Sequence, residues 1–390
     1  MNIRKQKNIP EGWEFKGVGE LLDYEQPTPY IVSSTDYNNN YKTPVLTAGK
    51  TFLLGYTDEI SGIYKNAPVI IFDDFTTAIK YVDFPFKVKS SAMKILKEKS
   101  STVNLKFIYG WMQVYPFKVG EHKRNYLSEY QYRDVLIPSF HEQNAIIEIL
   151  EIWNKYLEKL SKKIEIKKNI KKGLMQRLLT RKVRLDGFDS EWRYKTISQI
   201  AKTSAGGTPK STEKSYYVNG EIPWLKSGEI RRGEIDSFKN FITDSGLKKS
   251  SAKVFPVNTV LVAMYGATAG QCGILKKEAS TNQAICGILP NNNYSHDFLY
   301  YFFTTQTEVL LKMGTGAAQP NISQDIIKNY DIYLPELKEQ KAIAKILKIA
   351  DQGIKVLEEK KQIIEDQKKF LLNNLVTGKI RVPEYNNAKK

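Results

Sequence analysis

Histidine and cysteine are scarce in this chain, three and two among 390 residues. Cys272 and Cys286, with His122, His141 and His296, leave little for a disulfide framework or a zinc site. Both cysteines read as ordinary buried thiols. Long apolar runs are also lacking: none approaches the ~18 residues that a membrane span needs. The opening stretch MNIRKQKNIPEGW has no apolar segment of the kind found in a secretion signal. A cytoplasmic protein is the expectation.

Catalytic signatures are missing as well. Gly49-Lys50-Thr51 looks like the end of a phosphate-binding loop, but Pro44 stands where that loop needs its first glycine. A turn leading into a strand over 52–54 is the better reading. No Asn/Asp-Pro-Pro-aromatic motif for adenine methylation occurs, and no glycine-rich strand turn for a cofactor. Glu165-Ile-Lys167 and Asp366-Gln-Lys368 have the acid-x-Lys spacing of a metal-dependent nuclease. Both fall on helical stretches and read as charged coiled-coil faces. The expectation is a chain with no catalytic residue, no metal and no cofactor of its own.

What the chain has is positive charge, +17 with a pI near 9.4. Such an excess points to a polyanion, usually nucleic acid. It is concentrated: between Lys155 and Arg184 twelve Lys or Arg face only Glu158 and Glu165, a net +10. A hydrophobic fraction of 41% excludes disorder, and the length allows two or three domains with sizeable cores.

The chain also repeats itself. Pro138–Arg184 and Pro335–Arg381 match at a fixed offset of 197 over 47 positions without a gap, 18 of them identical. In the first copy Ile146, Leu150, Trp153, Leu157, Leu160 and Ile164 step by 4 and 3. In the second, Ile343, Leu347, Ala350, Ile354 and Leu357 do the same, followed by Ile364, Leu371 and Leu375. That period predicts coiled-coil helices, each roughly 57 Å long. Pro138 and Pro335 precede the helix starts, where proline is tolerated. Gly353, opposite Tyr156 in the other copy, predicts a loosened turn. The tails Lys182-Val183-Arg184 and Lys379-Ile380-Arg381 lean towards strand.

Between the helices, residues 14–137 and 193–334 carry short apolar runs and turn signals. Val69–Phe72, Val260–Ala263 and Ile285–Leu289 read as buried strands, 207–209 and 291–293 as turns. The starts of the globules match loosely, Trp13 with Trp192; their interiors do not align by eye. The fold class is α+β: two irregular α/β globules separated by two long helices, which form an antiparallel coiled coil with a pseudo-two-fold repeat. The boundaries are 1–137, 138–184, 185–334, 335–384 and a tail over 385–390.

At this point the chain resembles the specificity subunit of type I restriction–modification systems. The resemblance covers essentially the whole length. It rests on the Leu/Ile-Pro-x-x-x-Glu-Gln-x-x-Ile start of each helix (Ile137 to Ile146, Leu334 to Ile343) and on the two-globule layout. In the second globule it rests also on Gly206-Gly-Thr-Pro209, Ile222-Pro-Trp-Leu225, Gly266-Ala-Thr-Ala-Gly270, Thr281-Asn-Gln-Ala284 and Gly314–Ile322. The first globule departs, with Ile71-Phe-Asp-Asp74 where Gly266-Ala-Thr would fall and Lys80–Phe86 where Thr281-Asn-Gln would fall. The resemblance implies two target-recognition domains that read a bipartite, gapped, asymmetric DNA site. It implies two methylation subunits as partners, joined in restricting assemblies by two restriction subunits. S-adenosylmethionine, ATP and Mg then belong to those partners. A coiled-coil scaffold binding only proteins is the alternative, and it leaves the charge unexplained.

Base readout needs amides, hydroxyls and cations on supported loops. In the second globule the candidates are Lys226, Ser227, Arg231, Tyr265, Thr268, Gln271, Asn282, Gln283, Gln319 and Asn321. In the first they are Lys42, Thr47, Lys50, Tyr56, Thr57, Lys80, Lys87, Lys89, Ser90, Ser91 and Lys94. Lys162, Lys163, Lys167, Lys168, Lys171 and Lys172 are candidates for tracking phosphates across the spacer between half-sites. Glu142, Gln143, Glu339 and Gln340 recur at the helix starts and are candidates for docking a methylation subunit or positioning the flanking globule.

If the helices are the ruler between two readers, four extra residues in one helix, about one turn or ~6 Å, change the DNA spacer and leave both half-sites intact. Mapping the methylated motif of the insertion variant checks this; an altered half-site with an unchanged spacer contradicts it.

Overall fold

A computed structural model describes residues 9–47, 51–116, 125–315 and 321–386. The chain divides into two compact units, one of residues 1–161 with 359–390 and the other of residues 162–358. Both boundaries fall inside the long helices, Phe140–Leu178 and Leu337–Leu375, each 39 residues and offset by 197. Each unit therefore contains a globule, part of its own following helix and part of the other helix. No helix among the described residues is long and apolar enough to cross a membrane.

The heptad positions form the seams as their spacing predicts. Ile146 and Leu150 pack in the first unit with Leu375, Val376 and the globule residues Trp13, Phe107 and Trp111. In the second unit Leu178 and Leu179 pack with Ile343, Ala344, Leu347 and the globule residues Trp192, Phe298 and Ile332. Within that unit Lys171 pairs with Asp351 at 2.5 Å and Lys168 with Glu358 at 2.6 Å, so its two helix segments run antiparallel.

Two local expectations are corrected. The second helix is unbroken through Gly353, because its hydrogen bonds and neighbouring seam residues outweigh a single glycine's ~1 kcal/mol. The basic tails are not strands. They fold back on the helix ends, Val183 N–H donating to the Arg177 carbonyl and Ile380 N–H to that of Asn374, both at 3.2 Å. Each reversal needs a left-handed residue, Arg181 (φ 62°) in one copy and Gly378 (φ 68°) in the other. A Cβ on Gly378 would lie 2.6 Å from Pro10 Cγ.

The reversals aim Arg184 and Arg381 at buried carboxylates. In the first unit Arg381 grips Glu142 with two bonds, 2.9 and 2.6 Å, and Trp13 Nε1 donates to the same carboxylate at 3.1 Å. In the second Arg184 grips Glu339 at 3.2 and 2.7 Å, and Trp192 Nε1 donates at 3.3 Å. The next residue of each helix repeats the symmetry. Gln143 accepts from Asn104 N–H and donates to the carbonyls of Thr102 and Pro138. Gln340 accepts from Ser295 N–H and donates to the Pro335 carbonyl. Asn104 and Ser295 are the N-caps of helices Leu105–Val114 and His296–Thr304, so each glutamine fixes a globule helix against the long one.

Above these clasps the globules share one topology. A strand leading into each long helix, Asp134–Ile137 or Asp331–Leu334, pairs with the globule's first strand, Glu14–Gly17 or Arg193–Thr196. The first globule's main sheet has the order Leu22–Glu25, Met93–Glu98, Val69–Asp73, Ile79–Val82. The second begins with the same order, Thr203–Ala205, Ile285–Ile288, Val260–Ala263, Cys272–Leu275, and adds Glu234–Ile235. A smaller sheet in each holds a parallel pair, Thr43–Leu46 with Lys87–Val88 and Ile222–Leu225 with Ala279–Thr281. Cys272 and Cys286 are free and buried on strands flanking Val262, and burial pushes both thiols up, that of Cys286 to about 12.

Glu142 and Glu339 are 1% and 0% exposed. Replacing either with Ala strands an arginine and an indole N–H, which is expected to cost about 3 kcal/mol, the low end for a broken buried pair. Denaturant unfolding of each variant measures it; a loss below ~1 kcal/mol contradicts the clasp.

Candidate nucleic-acid interface

In the second globule, four loops meet at one edge where strands end. Strands Ile222–Leu225 and Ala279–Thr281 run parallel and finish there. Val260–Ala263 finishes there beside the starts of its antiparallel partners, Cys272–Leu275 and Ile285–Ile288. Backbone bonds lock the loop roots. Asn282 N–H donates to the Leu225 carbonyl at 2.9 Å, Met264 N–H to Ala284 at 2.8 Å, and Ile322 N–H to Met264 at 2.7 Å. Gly207 N–H donates to Thr281 at 2.8 Å. The glycines at 206 and 207 are required, since a Cβ on either would lie within 2.5 Å of neighbouring backbone.

This edge gathers the sequence-predicted residues. Lys226 is exposed and lies over the Trp224 ring at 5.4 Å. Ser227 and Gln271 are half-buried, Gln283 and Asn321 exposed. Gln283 accepts from the Thr208 hydroxyl. Tyr265 is half-buried, and burial pushes its hydroxyl up. Asn282 Oδ1 is buried with no hydrogen-bond partner among the described residues. Thr268 is a correction: only 5% exposed, it donates to the Ser227 carbonyl at 3.0 Å and ties two loops together. Gln319 and the side chain of Arg231 lie outside the described residues.

The first globule builds the same edge from unlike residues. Lys89 N–H donates to the Leu46 carbonyl at 2.8 Å, as Asn282 does to Leu225, and Asp74 N–H donates to Ala92 at 2.9 Å, as Met264 does to Ala284. The match corrects the sequence alignment: Val88-Lys89-Ser90 occupies the place of Thr281-Asn-Gln, and Asp73–Asp74 that of Ala263–Met264. Residues 71–73 belong to a strand, not to the loop of Gly266. Thr47, Ser90 and Ser91 are half-buried at this edge, and exposed Lys89 reaches the Tyr37 hydroxyl at 3.4 Å.

Other candidates of the first globule lie elsewhere. Thr57, Lys87 and Lys94 are 1–2% exposed and face inward. Lys87 pairs with Glu59 at 2.7 Å, and Lys94 lies 3.6 Å from Asp74. Neither ammonium is available to a phosphate. Lys42, Tyr56 and Lys80 line an open groove of about 920 Å³ with Phe52 and Phe84. Lys50 lies outside the described residues. Sequence reasoning missed Phe75 and Thr76, exposed at the tip of the hairpin at this edge; the signal was the turn Asp73-Asp-Phe-Thr-Thr77 between two apolar strands.

The helix-start residues face inward. Glu142, Gln143, Glu339 and Gln340 are at most 3% exposed, and all bind their own unit. Of the two roles open to them, positioning the globule is the one these contacts serve. Of the six spacer lysines, Lys162, Lys163, Lys167, Lys168 and Lys172 are exposed and Lys171 is half-buried.

A family model described as the type I restriction modification DNA specificity domain matches residues 189–366. The specificity subunit of the Escherichia coli type I restriction enzymes EcoR124I/EcoR124II is 34% identical over 351 residues, covering 86% of this chain and 85% of that subunit. The chain belongs to the type I restriction specificity subunits. A relative from Methanocaldococcus jannaschii, the MjaVIII specificity subunit, is 23% identical over 407 residues, covering 97% of this chain and 95% of that one. The solved S subunit of a type I system from M. genitalium shares the fold, with a TM-score of 0.60 at 16% identity over 95% of this chain and 97% of that chain. Members of this family supply DNA specificity and are not themselves catalytic.

Proposed function

We propose that this specificity subunit reads a bipartite, gapped, asymmetric double-stranded DNA site, one part with each globule. The observation that carries it is the pair of edges just described: one backbone topology, presented twice, with different side chains at equivalent positions. Two copies of one reader would call for a symmetric site; Lys89-Ser90 against Asn282-Gln283 makes it asymmetric. Amides suit adenine and cations suit guanine or phosphate.

The helices support the docking of two methylation subunits for adenine methylation. Each unit carries exposed apolar residues on the helix faces away from the seams. In the first unit these are Ile152 (66%), Ile363 (56%) and Phe370 (59%); in the second, Ile349 (58%), Val356 (61%) and Ile166 (59%). Ile152 and Ile349 are 197 apart, as are Ile166 and Ile363, so these two positions recur in both copies, while Phe370 and Val356 stand opposite Gly173 and Lys159. Exposed apolar residues on a helix face fit protein contacts, and two positions that recur in both copies fit two copies of one partner. S-adenosylmethionine sits in those partners; ATP and Mg serve restriction subunits where these join. Comparing adenine methylation across the host genome with and without this gene tests the reading. A split, gapped motif that vanishes on deletion is the expected result, and an unchanged methylome overturns it.

The spacer lysines divide by partner. Lys168 and Lys171 are already neutralised by Glu358 and Asp351. Lys163, Lys167 and Lys172 carry no ion pair among the described residues. Changing these three to Gln is expected to flatten the log–log salt dependence of binding by up to about 2.7, at ~0.9 per phosphate, with the recognised sequence unchanged. Changing Lys168 and Lys171 moves the slope less. Equal slopes for wild type and the triple variant contradict the spacer role.

A further inference from the structure

We infer that the hairpin Asp73–Ala78 is a DNA-reading finger of the first globule, with Phe75 contacting a base edge and the buried Lys94–Asp74 pair as its anchor. This rests on the reading of the globule edges as DNA surfaces.

The hairpin joins strands Val69–Asp73 and Ile79–Val82, with Phe72 opposite Ile79. Its tip is braced from within. Asp73 Oδ1 accepts from Phe75 N–H at 2.9 Å, and Asp73 Oδ2 accepts from the Thr76 hydroxyl. Thr77 N–H donates to the Asp73 carbonyl at 2.8 Å, with Thr77 itself held at φ 58°. On this braced tip Phe75 is 51% exposed. It occupies the register of Tyr265, one residue past Asp74, as Tyr265 is one past Met264. Both edges therefore place an aromatic ring at the same step of the equivalent turn.

Beneath the tip lies an interaction the shared topology does not require. The side chains of Lys94 and Asp74 are each 2% exposed and 3.6 Å apart. Lys94 also donates to the Ser91 carbonyl at 3.0 Å and to Gln26 Oε1 at 3.2 Å. Asp74 Oδ1 accepts from Tyr126 N–H at 2.8 Å. Burial of charge is costly unless every bond is met, and in the second globule Cys286 and Met264 fill the equivalent positions without charge. What the ion pair does here is tie the root of the hairpin to the loop of Ser90 and Ser91, so that the two reading loops move as one. An apolar ring on a braced tip fits a base edge with its thymine methyl, or a base step, and exposed Lys89 of the same globule fits a phosphate.

The test uses the full chain assembled with its methylation subunits, on a duplex carrying the genomic target and on one of scrambled sequence. Phe75→Ala is expected to weaken target binding by about tenfold and to leave scrambled binding and the salt slope unchanged, because a ring releases no counterions. Phe75→Leu recovers part of the loss. The paired change Asp74→Met with Lys94→Cys copies the second globule and strands no charge. It is expected to relax discrimination at the first half-site only, again without moving the salt slope. Unchanged target affinity for Phe75→Ala overturns the finger. Impaired assembly with unchanged DNA affinity overturns it too, placing the ring in a protein contact. A salt slope lower by about 0.9 for the paired variant makes Lys94 a phosphate contact and overturns the anchor. A wild-type assembly without sequence preference for any duplex sinks the underlying reading instead.

Discussion

A buried carboxylate at the start of each long helix is the interaction on which the rest is built. Glu142 is held by Trp13, 129 positions before it, and by Arg381, 239 positions after it. Glu339 is held by Trp192 and Arg184, 147 and 155 positions before it. A carboxylate that deep is tolerated only when its lone pairs are filled. Two arginine N–H groups and an indole N–H fill them, so three distant pieces of chain must arrive together or leave a charge stranded. The glutamine that follows adds the N-cap of a globule helix to the same point. The globule's first strand, its last strand and its packed helix are thus fixed relative to the long helix before any reading loop is considered.

The repeat was legible because its physics is local. A seam of period 3.5 needs only apolar residues at the right steps, and equal helix lengths follow from a gap-free offset. The clasps were half legible. A glutamate in a first helical turn has a routine reading as a partner of the helix dipole. Its burial depends on an arginine delivered by a left-handed turn after the other helix, which no local pattern shows. Polar residues misled for a related reason. Thr57, Lys87, Lys94 and Thr268 belong to types that are mostly exposed, and only the fold reveals that each has an inward partner.

The common topology of the globule interiors was not legible. It is carried by backbone bonds, such as Lys89 N–H to Leu46 and Asn282 N–H to Leu225, and these leave no trace in side-chain identity. Asp74 stands where Met264 stands, and Lys94 where Cys286 does. The second hairpin is also longer, and opens and closes its loop with left-handed Gly266 and Gly270. A comparison by residue type finds nothing to align.

That separation of backbone from side chain explains how one scaffold can serve two readers. The loop roots are pinned by main-chain hydrogen bonds, so exposed side chains beyond them are free to differ at little cost, within about ±0.5 kcal/mol each for surface changes. Lys89, Gln283 and Asn321 are of that kind. The freedom ends one layer down. Thr268 ties two loops through a hydroxyl, and Lys94 ties two loops through a charge; neither can change alone without leaving a buried group unpaired. A new recognition specificity in this fold is therefore cheap when written at the tips and requires coupled changes when written in the supports.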